Sequence, residues 1–238
     1  MIEIEGLVKA FGLLPVLRGL DLSVERGTFL ALLGPNGSGK TTLMRILAAL
    51  SRPTAGRVTI GGWSLPAEAA AVRAQLGVVA HLPLLYDNLT ARENLAFYAQ
   101  LYDLPRGERE DRILAVLERV GLAARADDLV RTFSRGMQQR LAIARAILHR
   151  PHVLLFDEPY TGLDQDAAAM LDDLLHDVAQ DGHTIIMTTH DLSRALALSS
   201  HVAILSRGKI GYYGPSADID SREFPMIYAE VTGAASVR

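Results

Sequence analysis

The segment whose residue types and spacing most directly carry chemistry is Gly34-Pro35-Asn36-Gly37-Ser38-Gly39-Lys40-Thr41, with Thr42 continuing it. Its glycines allow backbone conformations that turn successive N–H groups inward, and a lysine followed by a threonine hydroxyl suits a polyphosphate with its divalent cation. Two further groups close apolar runs: the carboxylates Asp157-Glu158, and Thr189-His190-Asp191. A carboxylate pair can divide its labour, Asp157 holding the shell of a Mg2+ ion and Glu158 polarising an attacking water as general base. An imidazole N–H at His190 can stabilise charge developing on a terminal phosphate. Lys40 would reach the β- and γ-phosphates and the Thr41 hydroxyl would ligate Mg2+, so ATP and Mg2+ are the expected ligands.

Such groups must be positioned by a scaffold, and the sequence outlines one. Short apolar runs at residues 29–33, 76–79, 153–156, 184–187 and 202–205 read as strands buried on both faces. Between them, Leu43, Ile46, Leu47 and Leu50, and later Leu171, Leu174, Leu175 and Val178, have helical spacing. Alternation of this kind predicts an α/β fold with a mainly parallel sheet, and residues at its C-terminal edge would share one crevice. Over residues 88–148 the pattern changes to helices alone, with Ile113, Val116, Leu117 and Val120 as one stripe. We read this as an inserted helical subdomain between core segments 1–87 and 149–213, with Ser206-Arg207-Gly208-Lys209 a turn between two strands, followed by a less readable tail, 214–238.

Composition narrows the classes further. The 238 residues, 49% hydrophobic and 21% charged, suit one large packed domain. A formal net charge of −3 gives no global attraction to a nucleic-acid backbone, so none is expected as a partner. Cysteine is absent, which excludes disulfides and thiolate metal sites and suits a reducing cytoplasm. No apolar stretch is long enough to span a bilayer, so direct lipid insertion is not expected and a membrane role would come through a partner.

The order of phosphate loop, helical insert, Ser134-Arg135-Gly136-Met137-Gln138-Gln139-Arg140, Asp157-Glu158, Thr161-Gly162-Leu163-Asp164 and His190 resembles the ABC ATPase family across nearly the whole chain. The resemblance implies a P-loop NTPase core of ABC type with an antiparallel β subdomain and the inserted α-helical subdomain. Residues 133–137 occupy the place of the family's Leu-Ser-Gly-Gly-Gln signature; Phe133, Arg135 and Met137 depart from it, while Ser134 and Gly136 are kept. In the family a signature helix tip closes on the γ-phosphate held by a second copy, a head-to-tail dimer with two ATP molecules at the interface, and Asp164 matches a residue that crosses between copies. Phe11 matches the aromatic that stacks on adenine, and His81 stands near the family's usual glutamine. The resemblance further implies multi-span permease subunits as partners and a cytoplasmic position on the inner face of the cell membrane. The runs 81–95 and 133–140 are similar to those of the haem exporter ATPases of cytochrome c maturation, with other exporters of drugs, lipids or polysaccharides as the alternative. A soluble ABC ATPase of DNA repair or translation would carry paired cassettes or long insertions that this chain lacks. A small-molecule P-loop kinase would leave Ser134, Gly136 and His190 without a purpose.

Overall fold

A computed structural model describes residues 1–80 and 82–233. The chain runs β1 (Ile2–Phe11), β2 (Leu14–Val24), β3 (Phe29–Leu33), α1 (Lys40–Leu47), β4 (Ala55–Ile60), β5 (Trp63–Leu65), α2 (Ala69–Ala74) and β6 (Leu76–Val79). Three helices follow, α3 (Ala91–Leu101), α4 (Arg109–Arg119) and α5 (Arg135–Ile147). It then alternates through β7 (Val153–Asp157), α6 (Gln165–Gln180), β8 (Thr184–Thr188), α7 (Leu192–Leu198), β9 (His201–Ser206) and β10 (Lys209–Pro215), ending in α8 (Phe224–Thr232).

Two sheets result. The larger has the order β10-β9-β3-β8-β7-β6, parallel throughout except for β10 at its edge. The smaller, β2-β1-β4-β5, is antiparallel. This is the α/β architecture with an antiparallel sheet and a helical insertion that the resemblance implied.

Side-chain alternation explains how one parallel sheet serves more than one core. Leu154 and Phe156 of β7 pack with α3, α4, α5 and α6, whereas Val153 and Leu155 point the other way, toward α1 and the small sheet. Each fully buried aliphatic or aromatic side chain of this kind stabilises by roughly 1.5–3 kcal/mol. A third cluster joins Ala31, Leu33, Val202 and Ile204 to Phe224 of α8. The tail thus docks through a helix.

The apolar stripe expected to run through Leu50 stops earlier. α1 ends at Leu47, Ala49 takes φ +56 and Leu50 is 65% exposed. The left-handed residue breaks the helical path, and the Leu50 amide turns back to the Arg45 carbonyl at 2.8 Å.

Candidate functional site

Residues 34–39 connect the buried strand β3 to α1, and their conformation depends on glycine at two points. Gly34 (φ +152) lies so close to the Leu205 carbonyl that a Cβ would collide with it, and a Cβ on Gly39 (φ +113) would meet Leu17 Cδ2 at 2.8 Å. The loop is therefore wedged between β9 and β2. α1 has no acidic residue in its first turn, which leaves its positive N-terminal end open to an anion. Lys40, 8% exposed, folds back over the loop and donates from Nζ to the carbonyls of Gly34 (2.7 Å) and Pro35 (3.4 Å). Burial lowers its pKa, opposed by the negative charges of Glu158 and Asp157. Ser38 Oγ is buried and, among the described residues, has no hydrogen-bond partner. A phosphate oxygen would satisfy it.

The cutting end is built where β7 and β8 finish side by side, Asp157 in register with Thr188. One hydroxyl serves both carboxylate residues: Thr188 Oγ1 donates to Asp157 Oδ1 at 2.7 Å and accepts from the Glu158 amide at 2.9 Å. Glu158 leaves the strand at φ +52, in the left-handed region that costs a residue with a β-carbon roughly 1–3 kcal/mol. That turn brings Glu158 Oε2 to 2.9 Å from His190 Nδ1. Because a carboxylate accepts, Nδ1 carries the proton. In the neutral ring Nε2 then presents a lone pair, so a contact to a phosphate oxygen requires the ring to hold both protons or to exchange tautomer.

A cleft of about 620 Å3 brings most of the expected residues together: Asn36, Gly37, Lys40, Thr41, Glu158 and His190 line it. Thr42 and Gly39 line it too, with Leu14 and Val16 from the hairpin that carries Phe11. Phe11 itself is 57% exposed at the end of β1, with Lys9 Nζ 4.8 Å from its ring centroid. An aromatic on a first strand is commonly core; this one is not.

Ser134 and Gly136 are not in that cleft. Ser134 caps α5, its Oγ accepting from the Met137 amide at 3.3 Å, and a Cβ on Gly136 would press on Ala167 Cβ at 2.8 Å. Asp164 caps α6, accepting from the Ala167 amide at 2.8 Å. Within one chain the tip of α5 packs on α6, and its neighbours Arg135 and Gln138 share a separate pocket with Glu158 and Thr161. His81 lies outside the described residues.

Sequence reasoning missed Thr188, whose role depends on its register against Asp157 in the neighbouring strand. The closing position of an apolar run, immediately before Thr189-His190, was the available signal. It also missed Leu14 and Val16, for which no local signal exists.

Known proteins resemble the chain in the same terms. The sequence model of the family described as "ABC transporter" matches residues 17–161. The linearmycin resistance ATP-binding protein LnrL of Bacillus subtilis (strain 168) is 35% identical over 222 residues, 93% of this chain and 71% of that protein. The Fe(3+) ions import ATP-binding protein FbpC 1 of Haemophilus influenzae is 34% identical over 235 residues, 98% of this chain and 71% of its own length. Among solved structures, the dimeric post-hydrolysis state of the ATP-binding cassette MJ0796 bound to ADP and Pi superposes with a TM-score of 0.81 at 28% identity, covering 91% of this chain and 99% of that one. With a phosphate loop, the Glu158 carboxylate and a histidine sharing one cleft on the matching fold, the chain belongs to the ABC transporter family as one of its ATP-hydrolysing cassettes.

Proposed function

We propose that the chain is the motor subunit of a membrane exporter, in which two copies close head to tail on two ATP molecules and pull on multi-span permease subunits. The observation that carries this reading is the contact of Glu158 with His190 in the cleft that Lys40 and Thr41 also line. The amides of residues 34–41 bind the triphosphate, Ser38 Oγ gains its missing partner, and Lys40 exchanges two carbonyls for phosphate oxygens. Phe11 offers its exposed face to adenine. The hard-oxygen pair of the Thr41 hydroxyl and the Asp157 carboxylate, which commits only Oδ1 to Thr188 among the described bonds, fits Mg2+. That ion, when bound, neutralises phosphate charge. Glu158 accepts the proton of a water whose oxygen attacks the γ-phosphorus as the bond to the β–γ bridging oxygen breaks and ADP leaves; His190 faces the charge that develops.

The likeness to MJ0796, a cassette solved as a dimer, supports pairing of two copies, as does the absence of Ser134 and Gly136 from the lining of the chain's own phosphate cleft. From the second copy, Ser134 and Gly136 would meet the γ-phosphate, with Asp164 beside the crossing. An exposed apolar strip supports the permease partner: Leu82, Leu84, Tyr86, Phe97 and Leu101 all face outward. Beside it lies a groove of about 610 Å3 with Arg73, Arg112 and Arg150 in its lining. Such a cassette sits on the inner face of the membrane through its permeases, and no helix among the described residues is long and apolar enough to cross one.

As cargo we favour haem, on the similarity of residues 81–95 and 133–140. Export of a drug-like compound is the second reading, favoured by the likeness to the linearmycin resistance protein. Haem stimulation of ATPase activity in the purified complex supports the first, and stimulation by an unrelated compound alone removes it. For the motor itself, Glu158→Gln is expected to lower turnover by about a hundredfold or more while sparing ATP binding, because one group supplies the base and many amides supply affinity. Full turnover in that protein would defeat the assignment.

A further inference from the structure

Arg194 is absent from the lining of the phosphate cleft, yet it holds both segments that carry the groups at its cutting end. One is the turn after β7. Two residues beyond Glu158, Tyr160 sends its hydroxyl to Asp172 Oδ1 on α6 at 2.6 Å. The other is the start of α7, where Asp191, next to His190, caps the helix by accepting from the Arg194 amide at 3.0 Å. The guanidinium spans them. Its Nε donates to both oxygens of Asp172, at 3.2 and 3.3 Å, and a terminal nitrogen donates to Asp191 Oδ2 at 3.0 Å. Its Cζ lies over the Tyr160 ring, 4.6 Å from the centroid.

Thr188 holds the Glu158 amide, but the Glu158 and His190 side chains have few contacts besides each other. The His190 side chain is 77% exposed, and Glu158 occupies a backbone region that its β-carbon disfavours. A rigid fork is suited to the task, because its donors are coplanar and leave little freedom once two carboxylates are engaged. The side chains concerned are only about a third exposed, 30% for Arg194 and Asp172 and 36% for Asp191, so solvent screens the bracket incompletely. Without the guanidinium, Asp172 and Asp191 would repel each other. Burial and the Asp172 charge push the Tyr160 ionisation far upward, which keeps its hydroxyl a donor.

We propose that Arg194 is a positioning residue for hydrolysis: by bracketing the Tyr160 turn to the start of α7, it fixes the register in which Glu158 Oε2 meets His190 Nδ1. The inference rests on the roles given above to Glu158 and His190.

The test is a double-mutant cycle in the full chain, read by single-turnover and steady-state ATP hydrolysis. Arg194→Gln is expected to lower kcat about tenfold with the KM for ATP within about twofold, and Arg194→Lys to recover only part, since an ammonium cannot fork. In a His190→Ala background the same substitution should change kcat by less than about twofold, because the contact it serves is already gone. Equal losses in both backgrounds, a loss carried by KM, or no loss at all would overturn the proposal. Should Arg194→Gln lose its cooperative thermal transition, Tyr160→Phe replaces it in the cycle. That change keeps the ring and removes only the bond to Asp172, with a loss of about threefold expected in the native background and none with His190→Ala. Full turnover in Glu158→Gln would sink the underlying assignment; additive losses beside an inactive Glu158→Gln would sink the bracket alone.

Discussion

His149 shows how much a single buried side chain can set conditions for the whole protein. Its ring stacks on Tyr102 with centroids 3.8 Å apart, and Nε2 donates to the Leu76 carbonyl at 3.0 Å. Nδ1 is buried with no partner among the described residues. Burial, with a smaller contribution from the Arg112 charge, pushes its pKa down to about 4 against the hydrogen bond to Leu76. The folded chain therefore binds fewer protons than the unfolded one between the unfolded value of 6.5 and about 4. Stability is full above that window and falls as pH drops through it, by about 2 kcal/mol at pH 5. Urea unfolding at pH 7.5 and pH 5 checks this: the native protein should lose about 2 kcal/mol more than His149→Phe over the interval. Parallel losses in the two proteins would mean that the imidazole is not held neutral. Legibility at this scale follows geometry. Asp157, Glu158 and His190 follow closely on apolar runs and Lys40 and Thr41 end a glycine-rich loop that follows one, where sequence alone locates a sheet edge, whereas Thr188 and Arg194 act across elements far apart in sequence.

The residue that caps α5 would, on the function proposed above, have a second task. The Ser134 hydroxyl accepts from the Met137 amide as a cap, and its own proton remains able to donate outward to a phosphate. The tasks can be separated by substitution. Ser134→Asp keeps a good cap but sets a carboxylate against the partner's γ-phosphate, so it should unfold within about 0.5 kcal/mol of the native protein yet fail to dimerise with ATP. Ser134→Ala should lose about 1 kcal/mol of stability together with activity. Denaturant titration and ATP-dependent size-exclusion chromatography read the two effects apart, and an Asp variant that still dimerises would remove Ser134 from the interface. The parallel strands were readable because both faces are apolar. The antiparallel sheet entered only by resemblance, and its bulges say why. Register shifts within the β1–β2 pairing switch which residues face inward, so Ile2, Ile4 and Leu7 do not keep one alternation. Helix α8 was hidden differently: Phe224, Ile227, Tyr228 and Val231 have helical spacing, but a proline in the first turn and a short span obscure it.

At the scale of the whole molecule, the exposed apolar strip proposed to meet the permease shares no residue with the lining of the phosphate cleft, and that separation can be tested. Leu101, the last residue of α3, is 61% exposed and lies outside the cutting machinery. Leu101→Glu is expected to leave the basal ATPase of the purified chain within about twofold, since isolated surface changes seldom matter to folding, while releasing the protein from the membrane fraction of its native cells. Retention at the membrane would place the docking face elsewhere. The two sheets meet at the turn between β9 and β10. The Gly208 amide donates to the Ser38 carbonyl at 3.2 Å, and its carbonyl accepts from the Arg18 amide at 3.0 Å. A Cβ on Gly208 would collide with the Val16 carbonyl, so this seam, like Gly34 and Gly39 beside it, demands glycine. Main chain sews to main chain across it, linking the hairpin that ends in Phe11 to the loop that grips phosphate. The span between hairpin and loop is thus set by the backbone, so under the function proposed above surface residues could drift toward a new cargo while the grip on the nucleotide keeps its length.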